Sequence, residues 1–175
     1  KLRGIGVGYF LESSGGRPQE EGRIRMEADG TATIMVGTFS HGQGHATAFR
    51  QIAHDTLGLP LDKMNFIDGG DTAVVSFGHG TGGSRSSQMG GMAVLLASKK
   101  IIVKGKAIAS HLLQTGESKV GFANGVYTAA DSGASISISE VAIAAHDPDK
   151  LPDGMETGLD EKERYVLVDF WAEWC

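Results

Sequence analysis

Two short segments of the sequence carry residue types that could bind an anion. The first is Ser40-His41-Gly42-Gln43-Gly44-His45, which precedes a stretch with helical periodicity. A helix N-terminus presents unsatisfied N–H groups and a partial positive charge, and flanking glycines let an anion approach them. The side-chain amide of Gln43 could donate to an oxo or phosphate oxygen and accept from a heterocyclic N–H. The segment therefore predicts an anion-binding turn, although an ordinary strand-to-helix turn with a polar rim has the same pattern.

The second segment covers residues 78–87 and reads G-H-G-T-G-G-S-R-S-S. Backbone amides, hydroxyl groups and a guanidinium group together suit a phosphate or a diphosphate. The segment lacks the Gly-Lys-Ser/Thr ending of a Walker A loop and the glycine spacing of a dinucleotide-binding fingerprint. From its composition alone, a flexible loop is the alternative to a second anion site.

Other catalytic chemistries find little support in the sequence. His41 and His45 are four residues apart, but His41 falls in a predicted loop, so the two need not share a helix face. No Glu or Cys stands at zinc-protease or zinc-finger spacing, and no Gly-x-Ser-x-Gly nucleophile elbow occurs. We therefore predict no protein-ligated metal and no serine nucleophile.

Periodicity and turn residues indicate the elements that position these segments. A helix from His45 to Leu57 is predicted to end at Gly58, and a long helix is predicted over 84–114. The dipeptide Asp29-Gly30 predicts a hairpin. The predicted strands cover 4–13, 22–28, 31–37, 63–68, 119–122 and 125–128. The spacing of Ser137 and Glu140 predicts a capping box ahead of a short helix to Ala145.

These elements predict an α+β fold with a mixed sheet, built from strand–glycine-rich loop–helix units. We assign residues 1–146 to a ligand-binding region and 147–165 to a linker-like segment, because the latter is polar and contains Pro148 and Pro152. Residues 166–175 form an atypical tail. The first residue is Lys1 rather than Met, so we expect a fragment or a processed form.

Composition limits the classes of partner. The net charge is −5 and no Lys/Arg block stands out, which argues against nucleic acid or an anionic membrane as the main partner. The apolar runs are too short to span a bilayer, so no membrane insertion is expected. The single cysteine, Cys175, allows no internal disulfide, which fits a cytoplasmic location. Glycine is unusually frequent and occupies 26 of the 175 positions.

A resemblance to a known family rests on both glycine-rich segments in the right order. Residues 37–60, Gly70-Asp71-Thr72 and residues 78–86 resemble the molybdopterin-binding large subunit of the xanthine dehydrogenase, aldehyde oxidase and aerobic carbon monoxide dehydrogenase family. The segment 3–10 and Glu140-Val141-Ala142 also fit, so the resemblance covers roughly Lys1 to Tyr165.

The resemblance implies a ligand and a set of residues that bind it. The ligand would be a molybdopterin dinucleotide, typically the cytosine dinucleotide in bacterial members. Its implied binding residues are Gly42, Gln43, Gly44, His45, Gly80, Thr81, Gly83, Ser84, Arg85 and Ser86. They belong to the same two segments that their residue types single out.

The resemblance also implies the reaction and the partners. The reaction would be molybdenum-dependent oxidation or hydroxylation of a small substrate, such as an aldehyde, an N-heterocycle or carbon monoxide. Electrons would pass to iron–sulfur clusters and FAD on partner subunits or domains, so we expect an oligomeric complex. The family's catalytic glutamate and its active-site loop have no matching motif here. We assign no catalytic residue and expect the isolated chain to be inactive.

Two alternatives remain open at this point. The chain could be a phosphate- or nucleotide-binding module without redox chemistry. The tail, with Trp171 and Cys175, is similar to the start of a thioredoxin active site, but the Cys-x-x-Cys pair is absent. A thioredoxin-like redox fragment is therefore the weaker alternative.

Overall fold

The structure is a computed structural model that describes residues 2–11, 14, 19–75 and 77–166. The fold contains both α-helices and β-strands, as predicted. In chain order they are β1 (Gln19–Met26), β2 (Ala32–Val36), α1 (His45–Leu57), β3 (Met64–Ile67), α2 (Gly91–Leu112), β4 (Val120–Ala123), β5 (Val126–Ala129), β6 (Ser135–Ser137), α3 (Ile138–Ala144) and β7 (Leu159–Val166).

The main sheet has four strands in the order β3-β2-β1-β7. β2 and β3 are parallel, whereas β1 pairs antiparallel with both β2 and β7, so the sheet is mixed as predicted. The predicted hairpin across Asp29-Gly30 is confirmed. Gly30 has a φ of 81°, and Asp29 Oδ1 accepts from the Thr31 amide at 3.0 Å.

The helices α1 and α2 pack on this sheet and on each other around one buried core. Helix α1 buries Phe49, Ala53 and Leu57 at the predicted spacing, and Gly58 ends it in the left-handed conformation. Close contact between β1 and α2 depends on Gly22, because a Cβ there would lie 2.8 Å from the Val94 amide nitrogen. This packing fixes where the N-terminal ends of both helices lie.

A second sheet, with the order β4-β5-β6, packs beside the far end of α2 together with α3. Tyr127 on β5 is fully buried, and its hydroxyl donates to the Ile102 carbonyl at 3.2 Å. The predicted capping box is confirmed: Ser137 accepts from the Glu140 amide, and the Glu140 carboxylate accepts from the Ser137 amide. Strand β6 was not predicted, since it has only three residues.

Three expectations differ from the structure. Residues 4–11 form no strand, and their large apolar side chains are exposed. The helix predicted from residue 84 begins instead with a π-helical turn, Ser86–Gly90, and continues as α2. The linker-like segment 147–165 contains most of β7, which forms a ladder with β1 that propensity alone does not reveal.

The tail prediction for 166–175 lies outside the described residues, apart from Val166 at the end of β7. Within the described part of the chain, no helix combines the length and the apolar character that a membrane span requires.

Candidate functional site

The first loop, residues 37–44, runs from the end of β2 to the start of α1. Gly42 and Gly44 have φ values of 108° and 75°, which side chains rarely adopt. Gly44 is the residue before α1, and no side chain of the described residues caps this helix. The Thr47 amide donates to the Gly44 carbonyl at 3.0 Å, which leaves the amides of His45 and Ala46 as the N–H groups that the start of α1 could present to an anion.

The side chain of Gln43 forms hydrogen bonds within this loop. Its Oε1 atom accepts from the His41 amide, and the Ser40 hydroxyl lies 3.5 Å from the same oxygen. The Ser40 amide in turn donates to Asp68 Oδ2 at 3.0 Å. Because these bonds use the Gln43 oxygen, its Nε2 group is the part of the amide that can donate to a ligand.

His45, the first residue of α1, is buried, and its Nδ1 atom has no hydrogen-bond partner among the described residues. Burial lowers the pKa of His45 below its ordinary value of 6.5, an effect that Asp68 opposes and His41 reinforces. The imidazole is therefore neutral at pH 7. A buried ring nitrogen without a partner is costly unless a ligand or a water satisfies it.

The second loop, residues 77–85, ends at the π-helical turn that leads into α2. Gly80, Gly83 and Ser84 have positive φ values, and Ser84 reaches 52° although it carries a side chain. Strain of this kind at a non-glycine residue is concentrated at ligand-binding loops. No described side chain caps the π-helical turn, so its first N–H groups also remain available. π-helical turns are frequent at functional sites.

The two loops touch each other through backbone and hydroxyl contacts. The Thr81 hydroxyl donates to the Phe39 carbonyl at 2.5 Å. At their bases, Gly37 and Gly78 approach so closely that a Cβ on Gly37 would lie 2.4 Å from the Gly78 Cα. The Gly69 amide donates to the Thr38 carbonyl at 3.3 Å, which ties the end of β3 to the same point. These contacts set two helix N-termini side by side.

The guanidinium of Arg85, which was predicted to bind an anion, pairs with a carboxylate of the protein. This group is 3% exposed and donates to the Glu20 carboxylate, which is fully buried, at 2.5 Å. It also donates to the carbonyls of Gly80, at 3.0 Å, and Gln19. Glu20 further accepts from the His79 amide at 3.4 Å. Arg85 therefore holds the second loop against β1 through these contacts.

A cavity of about 420 Å³ lies between the two loops. Its lining residues are His41, Gln43, His45, Thr81, Gly82, Ser84, Arg85, Ser86 and Ser87. Depressions of about 450 and 580 Å³ lie on α2 and at its C-terminal end, so volume does not single this cavity out. What distinguishes it is the pair of uncapped helix starts, each of which carries partial positive charge.

Most of the residues predicted to bind the cofactor meet at this cavity. Gln43, His45, Thr81, Ser84, Arg85 and Ser86 line it. Gly42, Gly44, Gly80 and Gly83 do not line it, but all four have the positive φ values that shape the two loops.

The lining residues His41, Gly82 and Ser87 lie inside the two predicted segments, although the resemblance did not imply them as binding residues. Sequence reasoning missed Glu20, which lies 65 residues before its partner Arg85. A buried carboxylate on a strand has no local signature, so only the three-dimensional structure reveals this residue.

Comparison with known proteins identifies the family of the chain. A family model described as the molybdopterin cofactor-binding domain matches residues 1–173. The large subunit of nicotine 6-hydroxylase from Paenarthrobacter nicotinovorans is 36% identical over 91% of this chain and 21% of its own length. The large chain of carbon monoxide dehydrogenase from Hydrogenophaga pseudoflava is 32% identical over 97% of this chain and 22% of its own length.

Solved structures show the same similarity. Reconstituted carbon monoxide dehydrogenase from Oligotropha carboxidovorans superposes with a TM-score of 0.79 at 30% identity, covering 85% of this chain and 18% of that one. Quinoline 2-oxidoreductase from Pseudomonas putida 86 gives a TM-score of 0.73 at 26% identity, covering 87% and 19%. The chain thus spans about a fifth of the length of the relatives it matches.

Proposed function

Because the chain belongs to the molybdopterin cofactor-binding domain family, within the molybdenum-binding subunits of xanthine dehydrogenase type, we propose that the cavity between its two loops holds the phosphate and nucleotide end of that cofactor. The observation that carries this proposal is the convergence of two uncapped helix N-termini on one cavity. A diphosphate has two negatively charged phosphates, and each can face one helix start.

The chemistry of the residues present fits such a group. The buried Nδ1 of His45, which has no partner among the described residues, and the Nε2 group of Gln43 supply polar atoms on the side of the first loop. The hydroxyls of Ser84, Ser86 and Ser87 supply donors on the side of the second loop. At Gly82 a Cβ would meet no protein atom within 4 Å, so the absence of a side chain there leaves room for a ligand. Backbone amides and the dipole of a helix N-terminus favour a phosphate.

Within this proposal the predicted residues have distinct roles. Gln43 and His45 bind the ligand directly from the first loop, and Ser84 and Ser86 do so from the second. Gly42, Gly44, Gly80 and Gly83 give the loops their backbone conformation, and Thr81 joins the loops through Phe39. Arg85 holds the second loop in place rather than neutralising the ligand, because its charge is already paired with Glu20.

The finer features of the function are also proposals. The bound molybdenum cofactor supplies redox chemistry, and the residues of this chain bind and orient it. No carboxylate among the residues lining the cavity can serve as a general base. We expect catalysis to need the rest of a full-length subunit, and the cytosine dinucleotide is the form of the cofactor that we expect. Iron–sulfur and flavin components of the same complex are the expected partners, on the basis of the multi-subunit relatives.

The test uses the full-length subunit, with its cofactor content as the measurement. Gln43→Ala should lower the molybdenum and released nucleotide per subunit several-fold, because it removes a donor from the first loop. Gln51→Ala is the matched control, since Gln51 is exposed on α1 and does not line the cavity. Mass spectrometry of the released nucleotide identifies its base.

A backbone variant tests the second loop in the same way. Gly83→Val should strip the cofactor, because a β-branched residue does not tolerate the φ of 58° at this position. Gly133→Val introduces similar strain at a φ of 72°, but in a turn away from the cavity, and should retain the cofactor. Full cofactor content in both loop variants would refute the assignment. Nucleotide retained without molybdenum in the unsubstituted protein would instead support a simple nucleotide-binding module.

A further inference from the structure

The outer edge of β7 has no neighbouring strand in the described part of the chain. The main sheet ends at β7, which pairs with β1 along its inner edge. An edge strand presents a row of backbone N–H and C=O groups that another strand can bind. The sheet can therefore gain a fifth strand at this edge.

A groove lies along this edge, on the side of the sheet that α2 covers. It has a volume of about 450 Å³ and is lined by Leu96, Lys99, Lys100, Val103, Lys104 and Glu161. Val103 is 64% exposed, and Leu96, two helical turns earlier, is partly exposed. The surrounding lysine side chains have long methylene stems that can cover an apolar group. This α2 groove therefore suits apolar side chains that point from a fifth strand towards α2.

Residues 4–11 have the sequence that such a strand needs. Ile5, Val7 and Tyr9 are each at least 93% exposed, and glycines stand between them. Alternate residues of an extended chain share one face, so the three apolar side chains would point one way and the glycines the other. A contiguous apolar segment of this kind is rarely left in water. The segment therefore has one apolar face that needs a partner.

The two faces of the sheet at this edge differ in the way that this pattern requires. On the α2 side, Leu159 is fully buried and Glu161 pairs with Lys104. On the other side, Arg23 pairs with Asp160, and their side chains are 37% and 28% exposed. An added strand can therefore bury its apolar residues against α2 and leave its glycines on the face that is open to water.

The connection between the segment and β1 is long enough to reach this edge. Residues 12–18 join the segment to Gln19, the first residue of β1. Two strand spacings amount to about 10 Å, whereas a connection of this length can span about 23 Å. The segment can therefore cross beside the C-terminal end of β7 and run antiparallel to β1.

This direction determines which end of the α2 groove each residue meets. Strand β1 and helix α2 run the same way: a Cβ on Gly22 would lie 2.8 Å from the Val94 amide nitrogen, and further along the sheet β7 pairs with Lys104. The added strand runs the opposite way. It therefore places Ile5 near Val103, at the end of the groove far from the start of α2.

We propose that residues 4–11 pair with the outer edge of β7 as a fifth strand of the main sheet and place Ile5, Val7 and Tyr9 in the α2 groove. The pairing of β7 with β1 is retained, because the added strand uses the other edge of β7. The occupant is the chain's own segment rather than that of a second copy, because the short connection keeps this segment at a high effective concentration near the edge.

Cysteine pairs in the full 175-residue chain, with Cys175→Ser as background, test this arrangement. Ile5→Cys with Val103→Cys reports the added strand, and Val7→Cys with Val103→Cys covers a register shifted by two residues. Gly6→Cys with Val103→Cys is the matched control, because adjacent residues of a strand point to opposite faces. The better of the two reporters should form about five times as much disulfide within one chain as the control, because a disulfide requires closely placed Cβ atoms.

Amide hydrogen exchange supplies a second measurement. Val103→Asp places a charge in the α2 groove and should accelerate exchange over residues 4–11 about tenfold relative to the unsubstituted chain. Leu61→Asp is the matched control, because Leu61 is 41% exposed and lies just before β3, at the opposite edge of the sheet. Exchange over 4–11 should be unchanged in this variant.

Three results would overturn the proposal. The first is equal cross-linking of Val103→Cys with cysteines at positions 5, 6 and 7. The second is exchange over residues 4–11 that is as fast in the unsubstituted chain as in Val103→Asp. The third is a reporter disulfide that joins two chains, because the groove would then hold the segment of a second copy.

Discussion

The buried pair between Glu20 and Arg85 should be among the most sensitive points of the molecule. Glu20 is fully buried, Arg85 is 3% exposed, and Arg85 also binds the carbonyls of Gln19 and Gly80. Replacing Glu20 by Ala leaves a buried guanidinium without its countercharge, which typically costs about 3 to 5 kcal/mol. With a urea m-value of about 2 kcal/mol/M, the unfolding midpoint should fall by about 1.5 to 2.5 M.

A double-mutant cycle separates the ion pair from the packing around it. Glu20→Met combined with Arg85→Met removes both charges, so the double variant should be more stable than the sum of the single effects by about 2 to 3 kcal/mol. Lys150→Ala is the control, because its ion pair with Asp147 is half exposed and should change stability by less than about 1 kcal/mol. Additive single effects, or a Glu20→Ala cost below about 1 kcal/mol, would refute the view that this pair holds the second loop.

Further predictions concern glycine packing, capping and pH. Gly37→Ala should destabilise the chain by at least about 2 kcal/mol in urea unfolding, because its Cβ would overlap the Gly78 backbone at 2.4 Å. Gly82→Ala is the control and should not lower the stability, because a Cβ there would meet no atom within 4 Å. Ser137→Ala removes the capping box of α3 and should cost about 1 kcal/mol, whereas the exposed Ser118→Ala should stay within about 0.5 kcal/mol. Because the folded pKa of His45 lies below 6.5, its neutral form is favoured on folding, so stability should fall as pH drops below 6.5 towards the folded pKa. His45→Gln should flatten that part of the curve in urea titrations between pH 5 and 8, and an unchanged slope would contradict the burial effect.

The local elements of the fold were predictable from the sequence because local chemistry determines them. Gly58 in the left-handed conformation ends α1 at the predicted residue, and the capping box of Ser137 and Glu140 begins α3 as expected. The Asp29-Gly30 turn joins β1 to β2. In each case the signal lies within a few residues.

Features that depend on distant pairing were not predictable. Strand β7 carries no apolar alternation, and its pairing with β1 follows from the whole arrangement of the sheet. The segment 4–11 has the sequence of a strand, but the edge nearest to it in the chain is taken. Residue type identified both loops of the candidate site, yet it could not reveal that the Arg85 charge turns inward to Glu20, 65 residues away in sequence.

The most direct test of the proposed site is a crystal structure of the full-length subunit with its cofactor bound. The account predicts that the diphosphate lies between the two loops, with one phosphate within about 3.2 Å of backbone amides at the start of α1 and the other equally close to those at Ser86 and Ser87. A diphosphate that contacts only one of these helix starts, or lies outside the cavity that Gln43 and Ser84 line, would contradict it.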